Sequence, residues 1–171
     1  LYITDKNGIC KNRPVNFILG VIVNILRSVP FLILLVAILP FTRLVVGTTL
    51  GSTAAIVPLV VAAAPFVARM VESSLKEVDG GLIEAAQSMG ASPVQIILKV
   101  LIPEAKPSLL VGSAIAVTTI LGYSAMAGFV GGGGLGAIAI NYGYYRYNNK
   151  VMLITVLLLV VIVQILQELG M

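Results

Sequence analysis

The chain has 171 residues, 58% hydrophobic and 11% charged, with a formal net charge of +4, one cysteine and no histidine. A soluble domain of this length cannot hide so much apolar surface, so the class is a membrane protein. The composition excludes an internal disulfide and Cys/His metal spacings, and the basic residues are too few and too scattered for a nucleic-acid stripe.

Residues 1–13 are polar, with Lys6, Lys11 and Arg13, and contain the lone Cys10. Leu1 stands where an initiator would, and no signal-peptide layout follows, so the chain reads as missing its start. Residues 15–26 are expected to form a tilted, partly interfacial helical lead-in. Arg27 is placed near the interface, because a bare Arg at the centre of a span costs roughly 2.5–3.5 kcal/mol. The first span proper is expected over residues 28–46. Pro30 suits its first turn, Pro40 should kink or end it, and Arg43 snorkels at the far end.

Residues 51–70 supply about the 20 a bilayer needs, interrupted by Pro58 and Pro65. Ala54, Ala55, Ala62, Ala63 and Ala64 are small enough for close helix approach in lipid. A charged segment follows. Residues 82–89 predict a short helix, and Gly90 stops it, since glycine takes the left-handed conformation without a Cβ penalty. Ser92 then serves as N-cap, Pro93 as a first-turn residue and Gln95 as the partner that closes a capping box. A second helix should run over 93–101 and stop ahead of Pro103. The segment predicts helix, elbow, helix, outside the lipid.

Residues 108–129 are the third candidate span. Gly112, Ser113, Thr118, Thr119, Gly122, Tyr123 and Ser124 make it less apolar than a lipid-facing helix, so these groups should face a cavity or a neighbour. The run Gly131 to Gly134 is followed by no Lys-Ser or Lys-Thr and leaves an apolar span, which rejects a phosphate cradle. ATP, if used, is bound by another chain. The glycines permit tight turns and close packing, or let backbone approach a cargo path or docking partner, and both readings stay open. Residues 151–169, rich in Leu and Val with Gln164 near the end, make the fourth and most lipid-facing span.

Lys6, Lys11, Arg13 and Arg27 precede the first span, and Arg69, Lys76, Lys99 and Lys106 flank the central loop. The alternate side holds only Arg43, Arg146 and Lys150. The central loop and both ends are therefore expected in the cytoplasm.

Glu84-Ala85-Ala86, three residues, Gly90, nine residues, then Val100-Leu101-Ile102-Pro103 resembles the EAA loop of bacterial ABC-importer permeases. That pattern ends I-x-L-P, and Val100 and Ile102 stand in for its apolar positions. The resemblance implies an all-α polytopic membrane bundle, about four transmembrane helices here plus a cytoplasmic coupling helix. Residues 1–171 would form one permease domain lacking its first span, with the coupling loop at about 72–107. It further implies docking on a separate ATPase through Leu82, Glu84, Ala85, Ala86, Met89, Gly90 and Pro103. Glu84 would make polar contacts at the dock or cap the local turn, Ala85 and Ala86 would pack closely, and Gly90 would set the elbow. The bland alternative is an amphipathic loop helix on the membrane surface.

Gly122-Tyr123-Ser124-Ala125-Met126 and the glycines after it are similar to the permease subunits of methionine importers. So are Arg27-Ser28-Val29-Pro30-Phe31, Pro40-Phe41-Thr42-Arg43 and the run from Ala64 to Glu72. The likeness implies a homodimeric, multi-pass permease of the bacterial cytoplasmic membrane. It also implies a homodimeric ATPase that holds ATP and Mg, an extracytoplasmic substrate-binding protein, and methionine, including D-methionine, as cargo. The chain itself would be no enzyme and hold no cofactor; its neighbours would be lipid and these proteins, with no nucleic acid. Transport would proceed by alternating access. Met126, flexible and polarizable, would plug the path at the dimer axis, or simply fill a packing gap. Tyr123 and Ser124 offer hydroxyls at the same depth, and Asn141 and Tyr144 polar contacts at the outer mouth. Their plain alternatives are an interfacial Tyr and a Ser bonded to its own helix.

Competing readings are the same machine with another amino acid or small solute, an intramembrane enzyme, and a channel or passive scaffold. The enzyme lacks a His, an acidic pair at depth and any Ser/Lys constellation. The channel leaves the EAA spacing unexplained.

Overall fold

The computed structural model describes residues 12–170, the side chain of Leu169 excepted. Lys6, Cys10 and Lys11 lie outside the described residues. Asn12 starts the first helix, α1 (Arg13–Ser28), its Oδ1 accepting from the Val15 N–H at 3.4 Å, with Pro14 in the first turn. The expected lead-in is thus a full helix. Pro30 disfavours helical backbone at the residue before it, and Val29 is extended (φ −84°, ψ 122°). The chain therefore turns by 101° into α2 (Phe31–Ala37).

A second break at Ile38 separates α2 from α3 (Leu39–Val46). The single span expected over 28–46 is thus corrected to two short helices. The interruption expected at Pro40 falls two residues before it, and Pro40 takes the first turn of α3, where its missing N–H costs nothing. Gly47, at φ +82°, closes α3 with its N–H on the Arg43 carbonyl.

α4 (Ser52–Lys76) runs unbroken for 25 residues, through Pro58 and Pro65 and beyond the expected end at Met70. Both prolines are buried. A proline inside a membrane helix survives where neighbouring helices cover the freed backbone groups.

α5 (Gly80–Ser88) and α6 (Pro93–Ile96) form the elbow. α6 does not stop ahead of Pro103. It passes through a π turn (Ile97–Leu101) into α7 (Ile102–Met126) and a 3₁₀ turn (Ala127–Val130), a rod of 38 residues from Pro93 to Val130. In the wider turn Ile102 donates to the Ile97 carbonyl, and Pro103, with no N–H to give, falls just after it. The glycine-rich stretch is more than a turn. α8 (Gly134–Ile138) folds back against α7, and a second π turn (Ala139–Tyr144) leads on to α9 (Asn149–Gly170) and packs against it.

α4 and α7 lie antiparallel. The Ser108 hydroxyl donates to Ser74 Oγ at 3.0 Å near one end, and Gly51 N–H reaches the Val130 carbonyl at 3.0 Å near the other. Between them Gly112 sits against Met70, where a Cβ would fall 2.5 Å from the sulfur. Ala54, Ala55, Ala105, Ala114 and Ala116 are buried, so close backbone approach dominates over large side chains. One apolar cluster, around Phe31, Leu35, Ala55, Ala127 and Val130, closes the Ser52 end. The other, around Val78, Ala86, Ile96, Leu101 and Ala105, closes the elbow end.

Among the described residues three helices are long and apolar enough to cross a membrane, Ser52–Lys76, Pro93–Val130 and Asn149–Glu168, and the bent pair α1 with α2 has the length and hydropathy of a fourth if its two halves count as one span. The architecture is an all-α polytopic bundle.

Candidate functional site

The elbow is built from local chemistry. Asp79 Oδ1 accepts from the Gly81 N–H at 2.7 Å and starts α5 two residues before the expected Leu82. The missed signal was an Asp N-cap ahead of a glycine pair. At the other end the Ala91 N–H reaches the Ala86 carbonyl and the Gly90 N–H reaches the Gln87 carbonyl, the paired bonds of a Schellman motif. Gly90 takes φ +76° in open space. Ser92 then forms the expected box: its N–H donates to Gln95 Oε1 at 2.8 Å, and Ser92 Oγ accepts from the Gln95 N–H at 3.4 Å.

These caps decide which residues face out. Leu82, Ala85 and Met89 share an exposed stripe, with Met89 81% exposed, and Val94 and Leu98 continue the apolar surface beyond the turn. Glu84 is exposed as well, and its carbonyl accepts from the Ser88 hydroxyl. Ala86 turns inward and packs with Ile96 and Leu101, so its small size serves the elbow's own core and not a surface contact. Pro103 belongs to the rod, in the first turn of α7.

Beside the elbow's root, Glu72 is buried, 8% exposed, and accepts from Arg69 at 2.6 Å and Lys76 at 3.1 Å. Arg69 also donates to Asn24 Oδ1 at 2.7 Å, which ties α1 to α4. Arg69, Glu72 and Lys76, with Arg27 and Phe66, line a cleft of about 410 Å³.

A second cleft, about 270 Å³, is lined by Arg27, Val29, Phe31, Ala62, Phe66 and Tyr123 among others. Phe31 and Tyr123 stack on one another in its wall, centroids 4.8 Å apart. Arg27 opens to both clefts at the level of Phe66. Phe66 lies ten residues before Lys76 along α4, about 15 Å at the helical rise, so the exposed Arg27 side chain lies alongside the middle of α4.

The remaining expected path residues do not line this cleft. Ser124 Oγ donates to the Leu121 carbonyl at 2.8 Å, the plain alternative for that hydroxyl. Met126 is 44% exposed at the end of α7. Asn141 and Tyr144 are exposed on the second π turn, where Tyr144 leans on Tyr145. The glycines support close packing: a Cβ on Gly128 would lie 2.7 Å from the Ala137 nitrogen, and one on Gly136 would strike the Ala125 carbonyl. Among the described residues no group of acids, Cys or His is placed to hold a metal ion.

Comparison with known proteins follows the same lines. Residues 8–169 match the profile of the binding-protein-dependent transport system inner membrane components. The chain is 59% identical to a probable D-methionine transport system permease protein, MetI, of Vibrio cholerae, over 99% of this chain and 76% of that one. It is 46% identical to the methionine import system permease protein MetP of Bacillus subtilis, over 99% of this chain and 77% of that one. Its fold matches a chain in an inward facing structure of the MetNI methionine ABC transporter with a TM-score of 0.95 and 53% identity, covering 99% of this chain and 78% of that one.

Proposed function

The chain belongs to the family of binding-protein-dependent transport system inner membrane components, and on that footing we propose that it is the permease subunit of an ATP-driven methionine importer. It works in the bacterial cytoplasmic membrane as a multi-pass protein. Two copies enclose the path, an ATPase dimer docks beneath them, and an extracytoplasmic binding protein delivers the cargo. ATP and Mg belong to the ATPase.

The observation that carries this reading is the elbow. A helix capped at both ends, with an outward stripe of Leu82, Ala85 and Met89, projects between two long antiparallel rods. α5 is rooted in the start of the 38-residue rod through Ala86, Ile96 and Leu101, so a push on the stripe moves the rod as a body. Ligands shift a conformational equilibrium only by binding one state better than the other. ATP does so in the partner, and the elbow passes the difference to the spans. At the far end of α7, Met126 from each copy closes the path, a gate that bends aside because the side chain is unbranched.

The test is uptake of labelled L- and D-methionine by proteoliposomes holding the full-length chain, its ATPase and the loaded binding protein. ATP-dependent uptake that a panel of other amino acids fails to match supports the reading. Uptake without ATP, or of another solute alone, overturns it.

A further inference from the structure

Arg27 stands apart from the other cations near it. Arg69 and Lys76 share the Glu72 carboxylate, and Arg69 has Asn24 besides. No described residue gives Arg27 a hydrogen bond or an ion pair, although it reaches a cleft walled by Phe31, Phe66 and Tyr123. The two clefts it lines hold the cations Arg27, Arg69 and Lys76 against the single anion Glu72. Arg27 is exposed to the cleft from the last turn of α1, so its guanidinium is open to an anion that enters there.

We propose that the 270 Å³ cleft is a transient cargo subsite, in which Arg27 takes the carboxylate of a small apolar amino acid and the aromatic walls take its side chain. The volume falls below the roughly 300–1,000 Å³ of drug-sized pockets and suits a solute of amino-acid size. A planar guanidinium matches a carboxylate with two parallel hydrogen bonds. A thioether gains favourable contact with aromatic rings. One charge contact in an open cleft binds weakly, as a transport site must if its cargo is to leave. Arg27 also faces the cleft of Arg69 and Lys76, so the cargo it holds lies at the junction of the two spaces. The proposal rests on the importer reading above, and it gives that reading a point of contact in the membrane.

The test reconstitutes the full complex in vesicles, with and without anionic lipid, and measures methionine uptake per ATP hydrolysed. We expect Arg27→Gln to lower that ratio about tenfold, equivalent to the ~1.4 kcal/mol of one charge-assisted contact. Arg27→Lys should recover part of it, and Ala62→Phe, which fills the cleft, should reproduce the loss. An unchanged ratio in Arg27→Gln overturns the subsite. So does a loss that wild type reproduces when anionic lipid is removed, since Arg27 then serves a lipid headgroup. If Arg27→Gln fails to assemble, Ala62→Phe decides, and normal uptake in that variant overturns the proposal. Absence of methionine uptake by wild type sinks the importer reading and this site with it. Wild-type uptake with an indifferent Arg27→Gln sinks the site alone.

Discussion

The rings of Phe31 and Tyr123 stack with centroids 4.8 Å apart and planes 12° from parallel, which fastens the helix after the 101° bend to α7. Phe31 is buried, so the pair joins α2 to the cluster at the Ser52 end of the rods. Tyr123→Phe should keep the stack and the stability. A double-mutant cycle of Phe31→Leu with Tyr123→Leu should show a coupling of about 0.5–1.5 kcal/mol in unfolding from bilayers or detergent. Strict additivity would mean that the rings merely adjoin.

Gly90 isolates a backbone effect. A Cβ placed on it would meet nothing within 4 Å, so only its φ of +76° resists substitution. Gly90→Ala should cost about 1–2 kcal/mol, and Gly90→Asn less. Gly90→Pro should cost most, since it also removes the N–H that bonds the Gln87 carbonyl. Amide exchange over residues 80–91 should rank the variants in that order, and ATP hydrolysis coupled to transport should fall in step.

Ala85 and Ala86 are neighbours with different exposures. Ala86 is 4% exposed inside the elbow's core and Ala85 is on the surface. Ala86→Leu overpacks that core at about 1–3 kcal/mol and should loosen the elbow even in the isolated permease. Ala85→Leu should leave the isolated permease unchanged and weaken only its hold on the ATPase. Thermal unfolding without the ATPase, set beside co-purification with it, separates the two.

Glu72 holds two cations at the elbow end of α4. Its own side chain is nearly buried, while Arg69 and Lys76 are 28% and 49% exposed, so water screens part of the attraction. Glu72→Gln should cost about 1–2 kcal/mol, between the values for surface and buried pairs. Arg69 should also lose its fixed position against Asn24, read as weaker protection of α1 in amide exchange.

Prolines mark the limit of local reasoning. Pro93 is legible as a first-turn residue, because Ser92 and Gln95 beside it complete a box that needs no distant partner. Pro58 and Pro65 read as interruptions yet are carried inside α4; Pro40 reads as a kink or an end, and the helix does break at Ile38, with Pro40 in the first turn of the next one; Pro103 reads as a stop and follows a π turn. A proline removes one N–H and crowds one carbonyl, and whether the helix survives depends on what covers the freed groups. That cover comes from other helices. The place of Arg27 alongside the middle of α4 escapes the sequence for the same reason: it depends on how α1 lies along α4.

The residues alone determined the membrane class, the elbow and its caps, because hydropathy over a span and bonds between near neighbours are settled within a few turns of chain. The tertiary structure decided the bend at Pro30, the inward turn of Ala86, the crossing of Gly128 with Gly136, and the meeting of Arg27 with Phe66 and Tyr123. The bend needs only its own proline to start, but where it leads, and the other contacts, depend on helices meeting, and those energies exist only once the helices touch.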